Sequence, residues 1–241
     1  MRATKITKKR VADHFAYSVW KYALLIVLAA FGWNLIYSVT VYKPPADKKL
    51  DIYMVTYAMA GDAIDRLDQM ASPAFPDLEA INFLHIAMND MDDYYANIQL
   101  STYIGAREGD VYLMPGERFR AYASGGLFAP LGDAIADGTI RLGEIDAQSG
   151  MMELTDDETG ERLPAAIYGI PASRLYGLLE LGIDNRDLWI GVTMYSQNIP
   201  NALKMVDWLI DSFTEEKPDW LTELEAAQPG VREADDPLPS Y

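Results

Sequence analysis

Three apolar runs, opening near residues 50, 81 and 111, constrain this chain more than any other feature. Leu50–Met59 (LDIYMVTYAM) and Ile81–Met88 (INFLHIAM) are continuous and rich in β-branched and aromatic residues, and Val111–Met114 is a shorter third. Runs of this kind suit strands covered on both faces. Their spacing of about 30 residues is that of successive βαβ units. Right-handed crossovers then give a parallel sheet with helices on both faces. The expected fold is α/β, in three layers, with a mostly parallel sheet flanked by helices.

The intervening segments read as helices. Gly61-Asp62 stops the first run, and Asp62 is placed to cap a helix with Ile64, Leu67, Met70 and Ala71 facing inward. Pro73 to Pro76 ends that helix. Asn89-Asp90 would cap a further helix in which Met91, Tyr94, Tyr95, Ile98 and Thr102 keep helical spacing. The third strand leads into a Pro115-Gly116 break and a short helix with Phe119, Tyr122 and Ala123 on one face. A Gly125-Gly126 stop and a packed Leu127-x-x-Pro130-Leu131 turn follow.

Past Asp133 the pattern changes. Met151–Leu154 and Arg162–Ile170 read as a hairpin around the polar turn at 155–160. Asp156, Asp157, Glu158 and Glu161 lack the alternating ligands, the central Gly and the terminal Glu of a calcium loop, so a solvated turn is expected. Tyr168-Gly169-Ile170-Pro171 leads to a helix with Leu175, Leu178 and Leu179 inward and Gly182 at its end. Trp189–Met194 is the last strand. Ser196-Gln197-Asn198 and Pro200 open a final helix with an apolar stripe of Ala202, Val206, Leu209, Ile210 and Phe213.

Ahead of this domain, Tyr22 to Tyr42 carries no charge. About 20 apolar residues cross the roughly 30 Å hydrocarbon core of a bilayer as a helix. Tyr17, Trp20, Tyr22, Trp33, Tyr37 and Tyr42 place aromatic rings towards both ends, where interfacial belts form. The run is longer than a signal-peptide core and leaves through Thr40, Val41, Tyr42, Lys43 and two prolines, so an uncleaved anchor is expected. Before it, Arg2, Lys5, Lys8, Lys9 and Arg10 outweigh Asp13, which puts the amino terminus in the cytoplasm and the following domain outside. The expected divisions are a basic cytoplasmic segment (1–16), a transmembrane helix (17–42), a linker (43–49), an α/β domain (50–216) and an acidic, mobile tail (217–241).

Charge and composition narrow the function. Residues 1–49 hold nine of the 20 Lys and Arg and two of the 36 Asp and Glu. The remainder carries 11 cations against 34 anions, a net −23. Phosphate contacts need a positive surface, so nucleic acid is not an expected partner. An anionic field tolerates neutral or cationic ligands. With no cysteine among the 241 residues, disulfides, thiolate metal sites and a cysteine nucleophile are all unavailable.

Four segments carry a family resemblance. Gly109–Ile135 (GDVYLMPGERFRAYASGGLFAPLGDAI) resembles the first lobe of extracytoplasmic solute-binding proteins of the type II periplasmic fold, where a G-D-V strand leads to a helix ending G-x-L-x-x-L. The first strand with its Gly-Asp helix start looks like the opening of that lobe. Tyr168–Pro171 (Y-G-I-P) is similar to the family strand that returns towards the hinge, and Ser196–Ala202 resembles its S-x-N-x-x-x-A helix start. The resemblance spans about residues 50–215, in order. It implies a bacterial protein beside an ABC transport system. The family's second lobe normally follows the Y-G-I-P strand, yet only 17 residues separate Pro171 from Trp189. The chain therefore looks like a single first lobe on a membrane stalk.

Catalytic constellations are poorly supported. His14 lies near the cytoplasmic end and His85 inside a buried-looking strand. No Gly-rich phosphate loop follows a strand, and no metal or cofactor motif is present. No enzyme activity is expected. A membrane-anchored hydrolase using Asp90 and Glu117 is the weakest reading.

Ligands of doubly wound sheets sit beyond the carboxyl ends of strands. Those ends nominate Tyr57, Met59, Asn89, Asp90, Glu117, Ser173, Arg174, Tyr195 and Ser196 as ligand-binding residues, with Pro115 beside Glu117. Tyr faces with Asn, Asp and Glu acceptors suit a sugar or another neutral solute. The expectation is a membrane-anchored, externally facing solute-binding-like protein working with a transporter permease. The alternative is a non-catalytic interaction subunit whose lobe docks on a membrane protein partner.

Overall fold

The computed structural model describes residues 8–40, 44–153, 162 and 165–227. The chain forms two units, residues 1–43 and 44–241. In the first, helix α1 runs over Lys8–Thr40. Its stretch Val19–Tyr37 is long and apolar enough to cross a membrane.

The second unit is built on strands β1 (Lys49–Thr56), β2 (Ala80–Ala87) and β3 (Val111–Pro115), which pair in parallel with β1 in the middle. Strands β4 (Met151–Met152) and β5 (Ala166–Ile167) form a small antiparallel ladder, the stem of the expected hairpin. Its acidic turn, including Asp156, Asp157, Glu158 and Glu161, lies outside the described residues. Strands β6 (Ile170–Pro171) and β7 (Leu188–Val192) complete a five-stranded sheet in the order β2-β1-β3-β7-β6. β7 runs antiparallel to both β3 and β6. The sheet is therefore mostly parallel, with one reversed strand.

Helices α2 (Ala63–Ala71), α3 (Tyr94–Gly105), α4 (Gly116–Ser124), α5 (Gly132–Ala136), α6 (Gly177–Glu180), α7 (Ile199–Phe213) and α8 (Asp219–Ala227) complete the described helices longer than a 3₁₀ turn. Side chains of a strand alternate between faces, and here they split the interior in two. Leu50, Ile52 and Met54 of β1, Leu113 of β3 and Ile190 of β7 meet α2, α6 and α7 through Leu67, Leu178, Val206 and Leu209. Tyr53 and Val55, Tyr112 and Met114, and Trp189 face the other way, against Leu100 of α3 and Phe119 and Ala123 of α4. Burying each Leu or Phe side chain contributes about 1.5–3 kcal/mol, so a core on each face explains why apolar residues follow one another along the strands without alternation.

Several local expectations need correction. Asp62 occupies the N-cap of α2, but its side chain makes no capping bond. The buried face of α2 is Ala63, Leu67 and Ala71, whereas Met70 is exposed. In α3 the phase is reversed. Tyr94, Tyr95 and Ile98 point to solvent, at 69%, 83% and 47% exposure, and Ala96 and Leu100 are buried. The helix start also differs: Asp93, not Asn89-Asp90, is the N-cap, its carboxylate accepting from Tyr95 N and Ala96 N at 3.1 Å each. Small Ala96 then lets α3 lie close to the sheet. The stretch read as a tail holds α8, with Leu221 buried.

One glycine decides the packing on the second face. Phe119 and Phe128 stack with ring centroids 4.4 Å apart over Gly191 of β7. A Cβ at 191 would lie 2.6 Å from Phe128 and 2.7 Å from Phe119. Gly191→Ala is expected to destabilise the domain by about 1–3 kcal/mol through overpacking. Urea unfolding measures this, with Gly61→Ala, whose Cβ meets nothing within 4 Å, as the neutral control.

Candidate functional site at the carboxyl edge of the sheet

In the order β2-β1-β3 the chain leaves β1 on one side for β2 and returns on the other for β3. That reversal makes the carboxyl ends of β1 and β3 a topological switch point, where open α/β sheets present a crevice. Tyr57 follows β1 directly and Glu117 stands in the first turn of α4, directly after β3. Because β7 is reversed, its amino end brings Asp187 to the same edge, where Gly116 N donates to Asp187 O at 2.9 Å and to its carboxylate Oδ2 at 3.3 Å. A Cβ at 116 would come within 2.8 Å of Trp189 Nε1 and 2.9 Å of the Asp187 carboxylate, so only glycine permits this approach.

Tyr57 is the centre of the group. Its hydroxyl donates to Met91 Sδ at 2.7 Å. Burial raises its phenol above the ordinary range, the charges of Asp187 and Glu117 push it further up, Arg118 opposes them, and Asp90 adds a small rise. Asp90, Glu117, Arg118 and Asp187 therefore lie within electrostatic range of one phenol. The Arg118 guanidinium donates to Met91 O, which also accepts from Asn97 Nδ2 at 3.2 Å. Arg118 Nε is buried with no hydrogen-bond partner among the described residues. The cluster presents three carboxylates against one guanidinium, an acceptor-rich surface suited to a ligand rich in O–H or N–H donors.

The other nominated residues have local partners of their own. Asn89 donates from its backbone N and from Nδ2 to Asp93 Oδ2, at 3.1 and 2.8 Å, and Asp90 Oδ1 accepts from Asp92 N at 2.9 Å. Both thus shape the turn that starts α3. Met59 pairs with Ile183 in a one-residue antiparallel bridge. Ser173 and Arg174 belong to a turn held by buried Asn185, whose Nδ2 donates to Ala172 O at 2.8 Å and Leu175 O at 2.9 Å. Arg174 pairs with Glu144 at 3.6 Å.

Tyr195 and Ser196 lie at the opposite edge. The reversed direction of β7 carries its carboxyl end to the amino ends of β1 and β3. There Ser196 Oγ donates to Asp110 Oδ1 at 2.6 Å, Asp51 N donates to Asp110 Oδ2 at 2.9 Å, and Tyr195 OH donates to Glu108 O at 2.9 Å. Burial nonetheless holds the Asp110 carboxyl above the ordinary range. Asn198, just before α7, donates from Nδ2 to Asp47 O and Lys49 O at 3.1 and 3.0 Å. These contacts join the start of α7 to the start of the domain. Arg118 and Asp187 escape sequence reasoning because one follows a nominated residue and the other depends on the direction of β7.

His85 sits away from this cluster. Its Nε2 lies 3.0 Å from Thr56 Oγ1, and burial lowers its imidazole below the ordinary range. Among the described residues, no group of three or more His, Cys, Asp or Glu is placed to hold a metal ion.

No protein-family model matches the chain, and no curated protein does. Among solved structures, an ABC substrate-binding protein from Listeria monocytogenes, in complex with cycloalternan, matches at 22% identity and a TM-score of 0.33. The match covers 50% of this chain and 28% of that one. An extracellular solute-binding protein of family 1 from Alicyclobacillus acidocaldarius matches at 22% identity and a TM-score of 0.37, covering 54% of this chain and 28% of that one. The chain thus spans under a third of the length of either neighbour.

Burial of His85 makes stability depend on pH. As pH falls through the unfolded imidazole value, about 6.5, the unfolded chain takes up the proton first. Stability is therefore lost as pH drops from there towards the lower folded value. His85→Gln is expected to flatten urea midpoints between pH 7 and pH 5.5. An unchanged slope in the variant would assign the titration to other groups.

Proposed function

We propose that this chain is a membrane-anchored, externally facing, non-catalytic solute-binding-like protein associated with a transport system, and that its ligand is a neutral, sugar-like solute. One observation carries the reading: Tyr57 stands at the switch point of the sheet with Asp90, Glu117, Arg118 and Asp187 within electrostatic range of its phenol. The acceptors there suit hydroxyl donors, and the Tyr57 ring, 40% exposed, offers a face on which an apolar sugar surface can pack. The length and composition of α1 support the anchor, and the basic residues before it support an outward-facing domain.

The interaction-subunit reading has its own support in α3. Its exposed Tyr94, Tyr95 and Ile98 line one helix face beside the site, and exposed apolar patches commonly mark docking surfaces.

Calorimetry of the full chain in neutral detergent against a panel of neutral sugars tests the binding proposal. A ligand at about 100 times its Kd is expected to add about 2.7 kcal/mol of stability. Glu117→Gln and Tyr57→Ala should each remove most of that gain. Absence of heat and of any melting shift across the panel counts against direct binding. The orientation has a separate check. The chain has no cysteine, so Asp133→Cys should react with a membrane-impermeant maleimide on intact cells, and Thr4→Cys only after permeabilisation.

A further inference from the structure

Strand β2 forms one edge of the five-stranded sheet. It pairs with β1 without interruption over eight residues, from Lys49↔Ala80 to Thr56↔Ala87. In a parallel ladder every second residue of an edge strand turns its N–H and C=O outward, and no strand lies beyond β2 among the described residues. Natural proteins blunt such an edge with Lys, Pro, a bulge or a very short strand. The β2 sequence AINFLHIA has neither Lys nor Pro, its register is unbroken, and it is eight residues long.

The edge also has a groove. An open cavity of about 510 Å³ runs beside β2, where Asn82 and Leu84 meet Asp51, Asp65, Asp68 and Glu108. No Lys or Arg lines it. Asp51 is already paired with Lys49 at 2.6 Å, and Glu108 accepts from Tyr53 OH at 3.2 Å. Asp65 and Asp68, both exposed on the flank of α2, have no ion pair among the described residues. The backbone edge therefore lies in a groove whose uncompensated charge is negative.

We infer that this groove is a strand-addition site for an extended protein segment bearing Lys or Arg at alternate positions. Main-chain hydrogen bonds to β2 would supply affinity, and the carboxylate rim would select the cationic side chains. The same rim disfavours the obvious rival, a second copy of this chain. Two β2 edges brought together would face Asp65, Asp68 and Glu108 with their own duplicates, and like charges opposed across an interface are costly. The inference is independent of any ligand at the carboxyl edge.

The test uses the full chain in neutral detergent with three synthetic hexapeptides. One is Lys-Val-Lys-Thr-Lys-Val amide, the second replaces each Lys with Glu, and the third is the Lys peptide with every amide N-methylated. The Lys peptide should bind and slow hydrogen exchange within Ala80–Ala87. N-methylation keeps the charge and removes the donors, so it should weaken binding about tenfold or more. Asp65→Asn with Asp68→Asn should weaken the Lys peptide by a similar factor, whereas Asp133→Asn with Glu216→Gln, outside the groove, should have little effect. The Glu peptide should not bind. Equal affinity of the N-methylated peptide would reduce the effect to bulk electrostatics and overturn the inference. Protection that maps to Tyr94–Thr102, or that appears on β2 without peptide as protein concentration rises, would overturn it too.

Discussion

The antiparallel pairing of β7 with β3, from Val111↔Val192 to Pro115↔Leu188, is the constraint on which most of this domain depends. It places a strand from late in the chain beside one from its first half, and so closes the side of the sheet that β1 and β2 leave open. It sets Gly191 beneath the stacked Phe119 and Phe128, which fixes the seat of α4. Above all, it sorts the loops. Because β7 is reversed, Asp187 arrives at the carboxyl edge and the run from Thr193 to Ser196 at the amino edge. A parallel β7 would exchange them, and the group around Tyr57 would lose a carboxylate.

That dependence also explains how far the sequence could be read. Strands β1 and β3 are apolar runs buried on both faces, and the edge strand β2, with Phe83 and Ile86 buried, is an apolar run of the same kind, so all three are located by pattern alone. Helix α7 is equally plain, since Ala202, Val206, Leu209, Ile210 and Phe213 recur at helical spacing and all are buried. Helix α3 is different. Its Tyr94, Tyr95 and Ile98 form an apolar stripe as regular as the buried one, and periodicity cannot say which of two apolar faces meets the sheet. The packing of Ala96 and Leu100 against the sheet decides it, in a helix whose start is capped by Asp93 and braced by Asn89. The candidate site divides the same way. Tyr57 and Glu117 follow from strand ends that sequence locates, whereas Asp187, Tyr195 and Ser196 depend on strand direction, a property of the assembled sheet.

Acidic residues dominate this domain, and their surroundings give them different work. Asp110 is buried between the amino ends of the strands and accepts from Ser196 and the Asp51 backbone, with its carboxyl pushed up by burial. Asp93 caps the start of α3 and is held low by the N–H groups it accepts from. Asp184 is held low by Arg186, which grips it through two nitrogens at 2.8 Å each. Arg118 is a cation within electrostatic range of Tyr57, as Glu117 and Asp187 are anions, whereas beside β2 Asp65 and Asp68 have no ion pair among the described residues. Net charge alone cannot separate these roles; hydrogen-bond supply and burial do.

The contacts of Asn198 with Asp47 O and Lys49 O bear on mechanics. Tension along the chain at Pro44 would reach β1 end-on, with β2 paired on one side and β3 on the other. The load then acts in shear, across many ladder bonds at once, instead of peeling them one by one. Asn198 adds the amino end of α7 to the same clamp. The domain is thus gripped at the end where its chain enters, and a tug there would be absorbed at the amino edge of the sheet, leaving the carboxyl-edge group around Tyr57 unstrained.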